Sequence, residues 1–505
     1  MSLYTCQEKR EEADLLLIPF IEGKPLEETL GELGSWEKSL EPLLSSKDFT
    51  GKKQELSLFY PENAVEKRFC LIGLGKQPTV QELTAAYAKA LQFCAKYAIH
   101  KVNVLFPHIL GCKEEEIITS CFEGLLLGNY GFTKYKTEDT KKEAASQIST
   151  FVLLTKNAPK GLGKWVDIAE SVHFTRDLVN TNADEVNPET LALAAVEMAK
   201  KRQNVTATVL AKADLLRERM GLLLAVSRGS HIDPKLIVLS YKGDPTSQDS
   251  VAFIGKGVTY DTGGLSLKPT GSMQGMKADM GGAAAVLGLM EAASRLQIKK
   301  NIIAVVPTTE NAIDGKSYKV GDIYTGYSGK TVEIDNTDAE GRLILADALA
   351  YTAKQYRPSM MIDLATLTGA IVVALGEEFS GLFSDNEPLQ ECLRKASYKV
   401  GEKFWPMPVH PPYLELLRSD FADIKNSGSR EAGSITAALF LREFTGGIPW
   451  AHIDIAGCAF RERASGCHPK NATGEPVRAL LSFLEHLDAD TIKAIRSYGK
   501  KSSPA

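Results

Sequence analysis

Residues 251–268 read Val251-Ala-Phe-Ile-Gly-Lys-Gly-Val-Thr-Tyr-Asp-Thr-Gly-Gly-Leu-Ser-Leu-Lys268. The stretch begins as an apolar strand and continues into a glycine-rich turn that carries charged side chains. It leads to Lys277-Ala-Asp-Met-Gly-Gly282, where a helical pattern begins. A short apolar run followed by a turn and a helix is typical of a strand in a parallel sheet covered by helices. We therefore expect the charged groups to lie at the carboxyl edge of a sheet, where functional sites usually form.

Similar units precede and follow this stretch. Apolar runs bounded by turn residues predict strands, and apolar residues at three- and four-residue steps predict helices. Strands are predicted at residues 236–240, 251–254, 302–307, 331–334, 360–364 and 452–455, and helices at residues 279–296, 342–356 and 389–400. This alternation favours a largely parallel sheet flanked by helices.

The first third of the chain shows a second series of the same kind. Strands are predicted at residues 13–20, 67–74, 101–106 and 149–154, with a helix at 80–98. Glycine and proline in residues 157–164 then interrupt the pattern before another helical stretch. We predict an α/β protein with two domains, each a mixed or largely parallel sheet flanked by helices. The predicted parts are an N-terminal domain at 1–160, a linker helix at 161–181 and a catalytic domain at 182–505.

Composition narrows the class of protein. The 505 residues are 44% hydrophobic and 24% charged, which is typical of a globular protein, and the net charge is −4. That charge gives no overall attraction to nucleic acid or to anionic membranes. The N-terminus is charged, and no apolar run approaches the roughly 18 residues of a spanning helix. We expect a cytoplasmic protein with no membrane partner and with free, unpaired cysteines.

Charged residues concentrate in residues 255–282 and in Asn336-Thr-Asp-Ala-Glu-Gly-Arg-Leu343. In an extended segment Asp338 and Glu340 point the same way, because they are two residues apart. Lys256 and Asp261 have opposite parity, so their convergence requires the chain to turn around Asp261, which the following glycines permit. Four carboxylates in one cleft repel each other unless cations neutralise them. The sequence therefore predicts bound divalent metal at a site formed by Lys256, Asp261, Lys268, Asp279, Asp338, Glu340 and Arg342.

Each of these residues also has a simpler interpretation. Asp279 and Asp338 could cap the helices that follow them, and Glu340 and Arg342 could be first-turn surface charges. The eight histidines are dispersed, with no His-Glu-x-x-His helix, so a mononuclear histidine–zinc peptidase is not indicated. His452 lies in an apolar run and is interpreted as a hydrogen-bonded core histidine. A nucleic-acid-binding or regulatory protein with a vestigial site stays as the alternative, although it would need a basic surface.

The two motifs resemble those of the leucine aminopeptidase (cytosol aminopeptidase) family of dinuclear metallopeptidases. Residues 336–343 match the family signature without a change, and residues 255–268 with 276–282 fit its companion motif. The resemblance extends over residues 177–487. It implies a metal-dependent leucyl aminopeptidase that removes N-terminal residues, large apolar ones such as leucine above all, from peptides with a free amino terminus. The nucleophile would be a hydroxide held by two metal ions.

The resemblance also implies a role for each charged residue. Asp261 and Glu340 would bridge the two metal ions, Lys256 and Asp279 would complete one shell, and Asp338 would complete the other. Lys268 would face the substrate carbonyl, and Arg342 would hold a bicarbonate that serves as general base. The metals would be Zn or Mn, with Mg or Co as alternatives in one site, because oxygen-rich sites do not select among them.

The family further implies a pocket for the N-terminal side chain and a homohexamer, built as a dimer of trimers. Residues 457–460, Gly-Cys-Ala-Phe, depart from the commoner family sequence beside that pocket. Peptides are thus the expected partners, and nucleic acid is not. The expected pocket residues are Met276, Thr366, Leu367, Gly369, Ala456 and Ala459.

Overall fold

The computed structural model describes residues 3–30, 40–62, 64–137 and 148–499. The chain forms two compact units. The first comprises Met1–His173 and Arg463–Lys470, and the second comprises Phe174–Glu462 and Asn471–Ala505. The stretch predicted as a linker helix forms helix Gly163–Asn180, and the division between the units falls within it. Each unit contains a sheet flanked by helices, so the predicted α/β class is confirmed.

The first unit is organised around a six-stranded sheet in the order β1-β6-β5-β2-β4-β3. Neighbouring strands are parallel except β3, which runs antiparallel to β4. The neighbouring strands β2 and β4 are buried throughout, as their continuous apolar sequences predict. The strands are β1 (Leu3–Gln7), β2 (Leu15–Phe20), β3 (Leu56–Phe59), β4 (Phe69–Gly73), β5 (Lys101–Val104) and β6 (Thr150–Leu154), and the helices include α1 (Leu26–Leu30), α2 (Glu41–Ser45), α3 (Val80–Cys94) and α4 (Glu114–Gly128).

The second unit contains a nine-stranded sheet in the order β16-β15-β18-β14-β9-β11-β8-β7, with β10 paired to β11. Two smaller sheets, β12-β13-β17 and β19-β20, accompany it. Its strands are β7 (Val205–Leu210), β8 (Lys235–Lys242), β9 (Ser250–Gly255), β10 (Gly257–Asp261), β11 (Asn301–Asn311), β12 (Ile323–Thr325), β13 (Thr331–Glu333), β14 (Met360–Ala365), β15 (Ser380–Phe383), β16 (Phe404–Met407), β17 (Ile424–Lys425), β18 (Trp450–Asp454), β19 (Phe460–Arg461) and β20 (Asn471–Ala472).

Helices cover this sheet and connect its strands. They begin with α5 (Gly163–Asn180), whose C-terminal part belongs to the second unit. The others are α6 (Pro188–Lys200), α7 (Lys212–Arg217), α8 (Gly221–Val226), α9 (Thr270–Met273), α10 (Gly281–Arg295), α11 (Glu340–Tyr356), α12 (Gly369–Leu375), α13 (Glu387–Val400), α14 (Gly433–Arg442), α15 (Val477–His486) and α16 (Ala489–Ser497).

Four strands at the centre of this sheet, β18, β14, β9 and β11, are mutually parallel. On either side of them, β8 runs antiparallel to β11 and β15 runs antiparallel to β18; β7, at one edge, is antiparallel to β8. Parallel neighbours end at the same edge of a sheet, so the residues that follow β9, β14 and β18 are brought together. This edge positions the charged residues singled out in the sequence.

Helices α10 and α11 pack on opposite faces of β9. Ala252 and Ile254 share a core cluster with Leu343 of α11. Gly255 has the opposite parity, and a Cβ atom placed on it would lie 2.8 Å from the Cα atom of Ala283 in α10. Glycine is therefore required where the first turn of α10 crosses the end of the strand.

Two further expectations concern the cysteines and the membrane. All eight cysteines fall within the described residues and are free thiols, as expected. Among the residues that the structure describes, no helix is long and apolar enough to cross a membrane.

The close approach of α10 to the sheet predicts that Gly282→Ala destabilises the protein. A Cβ atom on Gly282 would lie 2.1 Å from the carbonyl oxygen of Leu364, a backbone atom that cannot rotate away. Overpacking of this kind costs about 1–3 kcal/mol or more. We expect a lower midpoint in urea or thermal unfolding for Gly282→Ala.

The control is Gly271→Ala, because no described atom lies within 4 Å of a Cβ atom built there. Its unfolding midpoint should match that of the unmodified protein. Equal midpoints for both variants would contradict the close packing inferred for α10.

Candidate metal centre

Charged side chains from separate loops meet at the carboxyl edge of the nine-stranded sheet. Lys256 directly follows β9, and Asp261 is the last residue of β10. Asp279 precedes α10, and Glu340 is the first residue of α11. Carboxylate oxygens of Asp261, Asp338 and Glu340 all lie within 4.8 Å of one another. The structure thus brings together the groups that the sequence placed in one site.

On one regular strand the side chains of Lys256 and Asp261 would point to opposite faces of the sheet. Two irregularities of the backbone bring them to the same site. The chain leaves β9 at Lys256 before it enters β10, and the pairing of β10 with β11 shifts register between Val258 and Asp261. Gly263 and Gly264 then adopt positive φ angles of 86° and 62°. The sequence predicted a turn after Asp261, but it did not predict the register shift before it.

Lys256 lies at the centre of the cluster, with only 3% of its side chain exposed. Its Nζ atom lies 2.7 Å from Oδ1 of Asp279 and 2.9 Å from Oε1 of Glu340. It also donates a hydrogen bond to the carbonyl oxygen of Thr366 at 2.9 Å. A lysine this deeply buried requires such partners, because burial of an unpaired ammonium is very costly.

Lys268 forms the second positive centre. Its Nζ atom lies 2.9 Å from Oδ2 of Asp261, and it also contacts Oδ1 of Asp338. The Lys268 side chain is 16% exposed, and that of Asp338 is 32% exposed. This half of the cluster therefore faces solvent, whereas Lys256 is enclosed.

The cluster has more carboxylates than ammonium groups, and some of its oxygens have no donor. Four carboxylates face Lys256 and Lys268, an excess of two negative charges. Oδ2 of Asp279 and Oε2 of Glu340 are buried, and they accept no hydrogen bond from any described residue. Buried oxygens without donors, together with surplus negative charge, fit the binding of hard or borderline divalent cations.

The pKa values reflect the same imbalance. Burial and the charge of Glu340 raise the pKa of Asp261 to about 6, although both lysines oppose the shift. Burial also raises the pKa of Asp279 well above its usual range. Burial acts against the charge on Lys256, but the carboxylates around it outweigh burial and raise its pKa. Strongly perturbed groups that share a cleft mark a functional site.

Arg342 follows Glu340 on the first turn of α11 and is 7% exposed. Its Nη1 atom donates to the carbonyl oxygen of Asn426 at 2.9 Å, and its buried Nε atom has no acceptor among the described residues. Burial lowers the pKa of Arg342 to about 10, so its guanidinium stays charged at neutral pH. A buried guanidinium with a spare donor is suited to an anion.

The expected pocket residues border the charged cluster. Thr366 donates from Oγ1 to Oδ1 of Asp279 at 2.8 Å. A Cβ atom on Gly281 would lie 3.2 Å from Cβ of Ala459 and 3.4 Å from Cγ2 of Thr366, so these residues enclose the start of α10. No described atom lies within 4 Å of a Cβ atom built on Gly369, which faces open space.

The other three expected pocket residues are half-buried in segments that lead to or from this edge. Met276 begins the 3-10 turn Met276–Ala278, which ends beside Asp279. Leu367 and Ala456 lie in the loops that follow β14 and β18. Their roles in binding a side chain stay predictions.

Three polar residues hold the charged segments of this site in place, and the sequence did not predict a role for any of them. Asn311, fully buried at the end of β11, donates from Nδ2 to Oδ1 of Asp261 at 2.8 Å and to the carbonyl of Thr337 at 3.0 Å. Thr337 donates from Oγ1 to the carbonyl of Gly263 at 2.6 Å. Asn426 donates from Nδ2 to the carbonyl of Asn336 at 2.7 Å. A polar residue that ends an apolar strand could have indicated Asn311, but the loop around Asn426 carries no such signal.

The simpler interpretations of Asp279 and Asp338 are wrong. The residues at the N-cap positions of α10 and α11 are Met280 and Ala339, and neither helix shows a side-chain cap among the described residues. The interpretation of His452 is confirmed. It is fully buried, and its Nδ1 atom lies 2.6 Å from Oδ1 of Asp363.

The sequence was compared with known protein families and with curated proteins. The profile described as the cytosol aminopeptidase family, catalytic domain, matches residues 173–481, and the N-terminal domain of the same family matches residues 17–139. A probable cytosol aminopeptidase of Protochlamydia amoebophila is 43% identical over 485 residues, which cover 95% of this chain and 97% of the relative. A probable cytosol aminopeptidase of Chlamydia caviae is 45% identical over 484 residues, covering 94% and 97%.

Solved structures give the same result. A mutant of tomato leucine aminopeptidase is similar with a TM-score of 0.83 at 30% identity, covering 96% of this chain and 97% of that one. The bottromycin maturation enzyme BotP in complex with Mn is similar with a TM-score of 0.81 at 30% identity, covering 94% and 99%. Both similarities extend over nearly the whole length of each chain.

The packing around Lys256 predicts that Gly341→Ala disturbs metal binding without unfolding the protein. A Cβ atom on Gly341 would lie 2.4 Å from Cε and 2.7 Å from Nζ of Lys256, so the lysine side chain must move. Alanine is favoured over glycine inside a helix, and the displaced atoms end a flexible side chain. We expect unfolding near that of the unmodified protein, with Mn²⁺ affinity reduced on the order of tenfold or more.

The measurement is titration with Mn²⁺ followed by elemental analysis, alongside Gly315→Ala as the control. A Cβ atom built on Gly315 has no described atom within 4 Å. Unchanged Mn²⁺ affinity in Gly341→Ala would show that the position of Lys256 does not matter for the metal.

Proposed function

The chain belongs to the cytosol aminopeptidase family and is a metal-dependent exopeptidase, and on this premise we propose that it is a leucyl aminopeptidase. It hydrolyses the N-terminal peptide bond of peptides with a free amino terminus, and it prefers large apolar N-terminal residues such as leucine. The observation that carries this proposal is the convergence of four carboxylates and two lysines at one sheet edge, beside half-buried and open pocket positions.

We propose that two divalent cations bind in this cluster, held by Lys256, Asp261, Asp279, Asp338 and Glu340. Asp261 and Glu340 would be shared by both ions: Glu340 contacts Lys256 in the enclosed half, Asp261 contacts Lys268 in the solvent-facing half, and oxygens of the two carboxylates lie within 4.8 Å of each other. Lys256 and Asp279 would complete the enclosed site, and Asp338 would complete the solvent-facing site. Zn or Mn is the proposed metal, with Mg or Co as alternatives in one site, and the Mn complex of the similar BotP structure supports Mn.

When bound, the two cations supply a water of lowered pKa and polarise the scissile carbonyl group. Lys256 must lose its proton to act as a ligand, and a neighbouring dication lowers the pKa of an amine in that direction. The free α-amine of a peptide could bind one of the cations in its deprotonated form, which would restrict cleavage to the N-terminal residue. An acetylated amino terminus has no amine lone pair to offer, so a blocked peptide is excluded.

Lys268 and Arg342 are proposed as the catalytic residues that do not bind metal. Burial acts against the charge on Lys268, but Asp261 and Glu340 outweigh burial and raise its pKa, so its ammonium stays protonated. We propose that this ammonium group donates a hydrogen bond to the oxygen of the scissile carbonyl as negative charge develops there. Arg342 is proposed to hold a bicarbonate ion as general base, and its buried Nε atom, which no described residue accepts from, supplies a donor.

The proposed pocket for the N-terminal side chain is formed by residues that differ in size and exposure but share this edge of the sheet. These residues are Met276, Thr366, Leu367, Gly369, Ala456 and Ala459.

We further propose that the chain assembles as a homohexamer, a dimer of trimers, and that it acts on peptides in the cytoplasm. Family membership alone supports the assembly and the location.

The first functional prediction concerns the free amino terminus and the metal. Leucyl-p-nitroanilide should be hydrolysed, and its N-acetylated form should not, because acetylation removes the free amine that would bind a metal ion. Chelation should abolish activity, and separate addition of Zn²⁺, Mn²⁺, Mg²⁺ or Co²⁺ should identify the ions that restore it. Release of p-nitroaniline is followed by absorbance.

Equal hydrolysis of blocked and unblocked substrates would contradict the proposal, and so would activity that persists after complete removal of metal. Peptides cleaved at internal bonds would exclude an exopeptidase independently. The absence of turnover with every metal, combined with salt-sensitive DNA binding, would favour the regulatory alternative.

The second functional prediction separates the two lysines. Lys268→Met should keep both metal ions and lower kcat on the order of 100- to 1000-fold, as the loss of one oxyanion donor does elsewhere. KM should change less, because the charge on the carbonyl oxygen is largely absent in the ground state. Lys256→Met should instead lose metal together with activity.

Metal stoichiometry and steady-state kinetics are measured for both variants, so that each serves as the control for the other. A Lys268→Met variant that loses an ion while Lys256→Met keeps both would mean that the two roles are reversed.

A further inference from the structure

We propose that Asp454 is a positioning residue that sets the preference of the pocket for large apolar side chains. The inference rests on the proposed function and deepens it. Asp454 does not touch the reacting atoms in this proposal. It acts through the backbone of the two loops that carry the expected pocket residues Leu367 and Ala456.

Asp454 is the last residue of β18 and is fully buried. Its Oδ1 atom accepts hydrogen bonds from the backbone N–H groups of Leu367 at 3.1 Å and Ala456 at 3.2 Å. Its Oδ2 atom accepts from the Oγ1 hydroxyl of Thr368 at 2.7 Å. One carboxylate therefore connects the loop after β14 to the loop after β18.

Thr368 extends this connection to helix α12. Its Oγ1 atom accepts a hydrogen bond from the backbone N–H of Ile371 at 3.1 Å, which caps the start of the helix. A residue at the N-cap fixes where a helix begins and how the chain enters it. The orientation of Leu367 and Gly369, on either side of Thr368, consequently depends on the Asp454 carboxylate.

The loop after β18 also contacts the segment that follows helix α12. A Cβ atom on Gly457 would lie 2.1 Å from the carbonyl oxygen of Gly376, and the Sγ atom of Cys458 lies 3.3 Å from the carbonyl oxygen of Glu377. Asp454 thus holds the loop after β18 against the start of α12, and residues 457–458 hold it against the end of that helix. The two sets of contacts fix the distance between this loop and α12.

The first loop is also connected to the charged cluster. The carbonyl oxygen of Thr366 accepts from Lys256, and its hydroxyl donates to Asp279. Asp454 therefore fixes the position of both pocket walls relative to the groups that would hold the metal. A buried carboxylate is costly unless its hydrogen bonds are satisfied, and the bonds to these two loops satisfy this one.

The test compares the kcat/KM values for leucyl- and alanyl-p-nitroanilide in four variants. Asp454→Ala removes all the hydrogen bonds that the carboxylate accepts. Thr368→Val removes the bond from the Thr368 hydroxyl and the cap of α12. Asp454→Asn keeps an oxygen that can accept from the backbone N–H groups of Leu367 and Ala456. Ser384→Ala is the control, since Ser384 is a buried residue whose hydroxyl donates to the carbonyl of Trp450 at the other end of β18.

We expect the preference for leucine over alanine to fall on the order of tenfold in Asp454→Ala, because a pocket of undefined width gains less from a larger side chain. The fall should be smaller in Thr368→Val, slight in Asp454→Asn and absent in Ser384→Ala. Metal content should stay unchanged in all four variants. The Asp454 carboxylate also favours the charge on Arg342. Loss of that interaction, or of folded protein, changes the kcat/KM values for both substrates alike and cancels in their ratio.

A leucine-to-alanine preference that is unchanged in Asp454→Ala overturns the inference. If that variant does not fold, the pair Thr368→Val and Asp454→Asn decides, and an unchanged preference in Thr368→Val overturns it. Failure of the proposed function has a different signature, because the unmodified protein would then release neither leucine nor alanine.

Discussion

The main constraint on the second unit is electrostatic, because four carboxylates lie together at one edge of its nine-stranded sheet with only two lysines to compensate their charge. Asp261, Asp279, Asp338 and Glu340 cannot share a buried cleft unless cations separate them, and Lys256 and Lys268 supply only half of the compensating charge. The rest of the architecture keeps these groups together in spite of their repulsion. The charged groups are held there by three strands and two helices, with hydrogen bonds from buried side-chain amides. The strands are β9, β10 and β11, and the helices are α10 and α11.

The hydrogen bonds show how the repulsion is overcome before any metal binds. Asn311 donates to Asp261 and to the carbonyl of Thr337, so a single side chain joins the two charged motifs. Asn426 holds the second motif alone: its side-chain amide donates to the carbonyl of Asn336, and its backbone carbonyl accepts from Arg342. Neutral amides suit this role because they add donors without adding charge. The cations then complete a site whose geometry is already fixed.

The sequence predicts this site well where the signal is local. Apolar runs give the positions of β9, β14 and β18 to within one or two residues, and Lys256, directly after β9, lies at their common edge. The register shift before Asp261 was not predictable, since it depends on pairing with β11, about fifty residues away. The segment Arg463–Lys470 belongs to the first unit although the sequence placed it in the catalytic domain, because its packing depends on tertiary contacts that no local pattern reports. Strand β7 was also missed, since its burial alternates weakly.

The compactness of the site explains why glycine occurs at three places around Lys256. A Cβ atom on Gly282 would lie 3.0 Å from the backbone nitrogen of Lys256, one on Gly255 would lie 2.5 Å from the carbonyl of Gly282, and one on Gly341 would overlap the Lys256 side chain. The first turns of α10 and α11 can therefore approach the end of β9 from opposite faces. Only this approach allows Asp279 and Glu340 to reach the same ammonium group, Asp279 at 2.7 Å and Glu340 at 2.9 Å. Larger residues at Gly255 or Gly282 would separate α10 from the strand, and a larger residue at Gly341 would displace the Lys256 side chain, so the two carboxylates would no longer share its ammonium group.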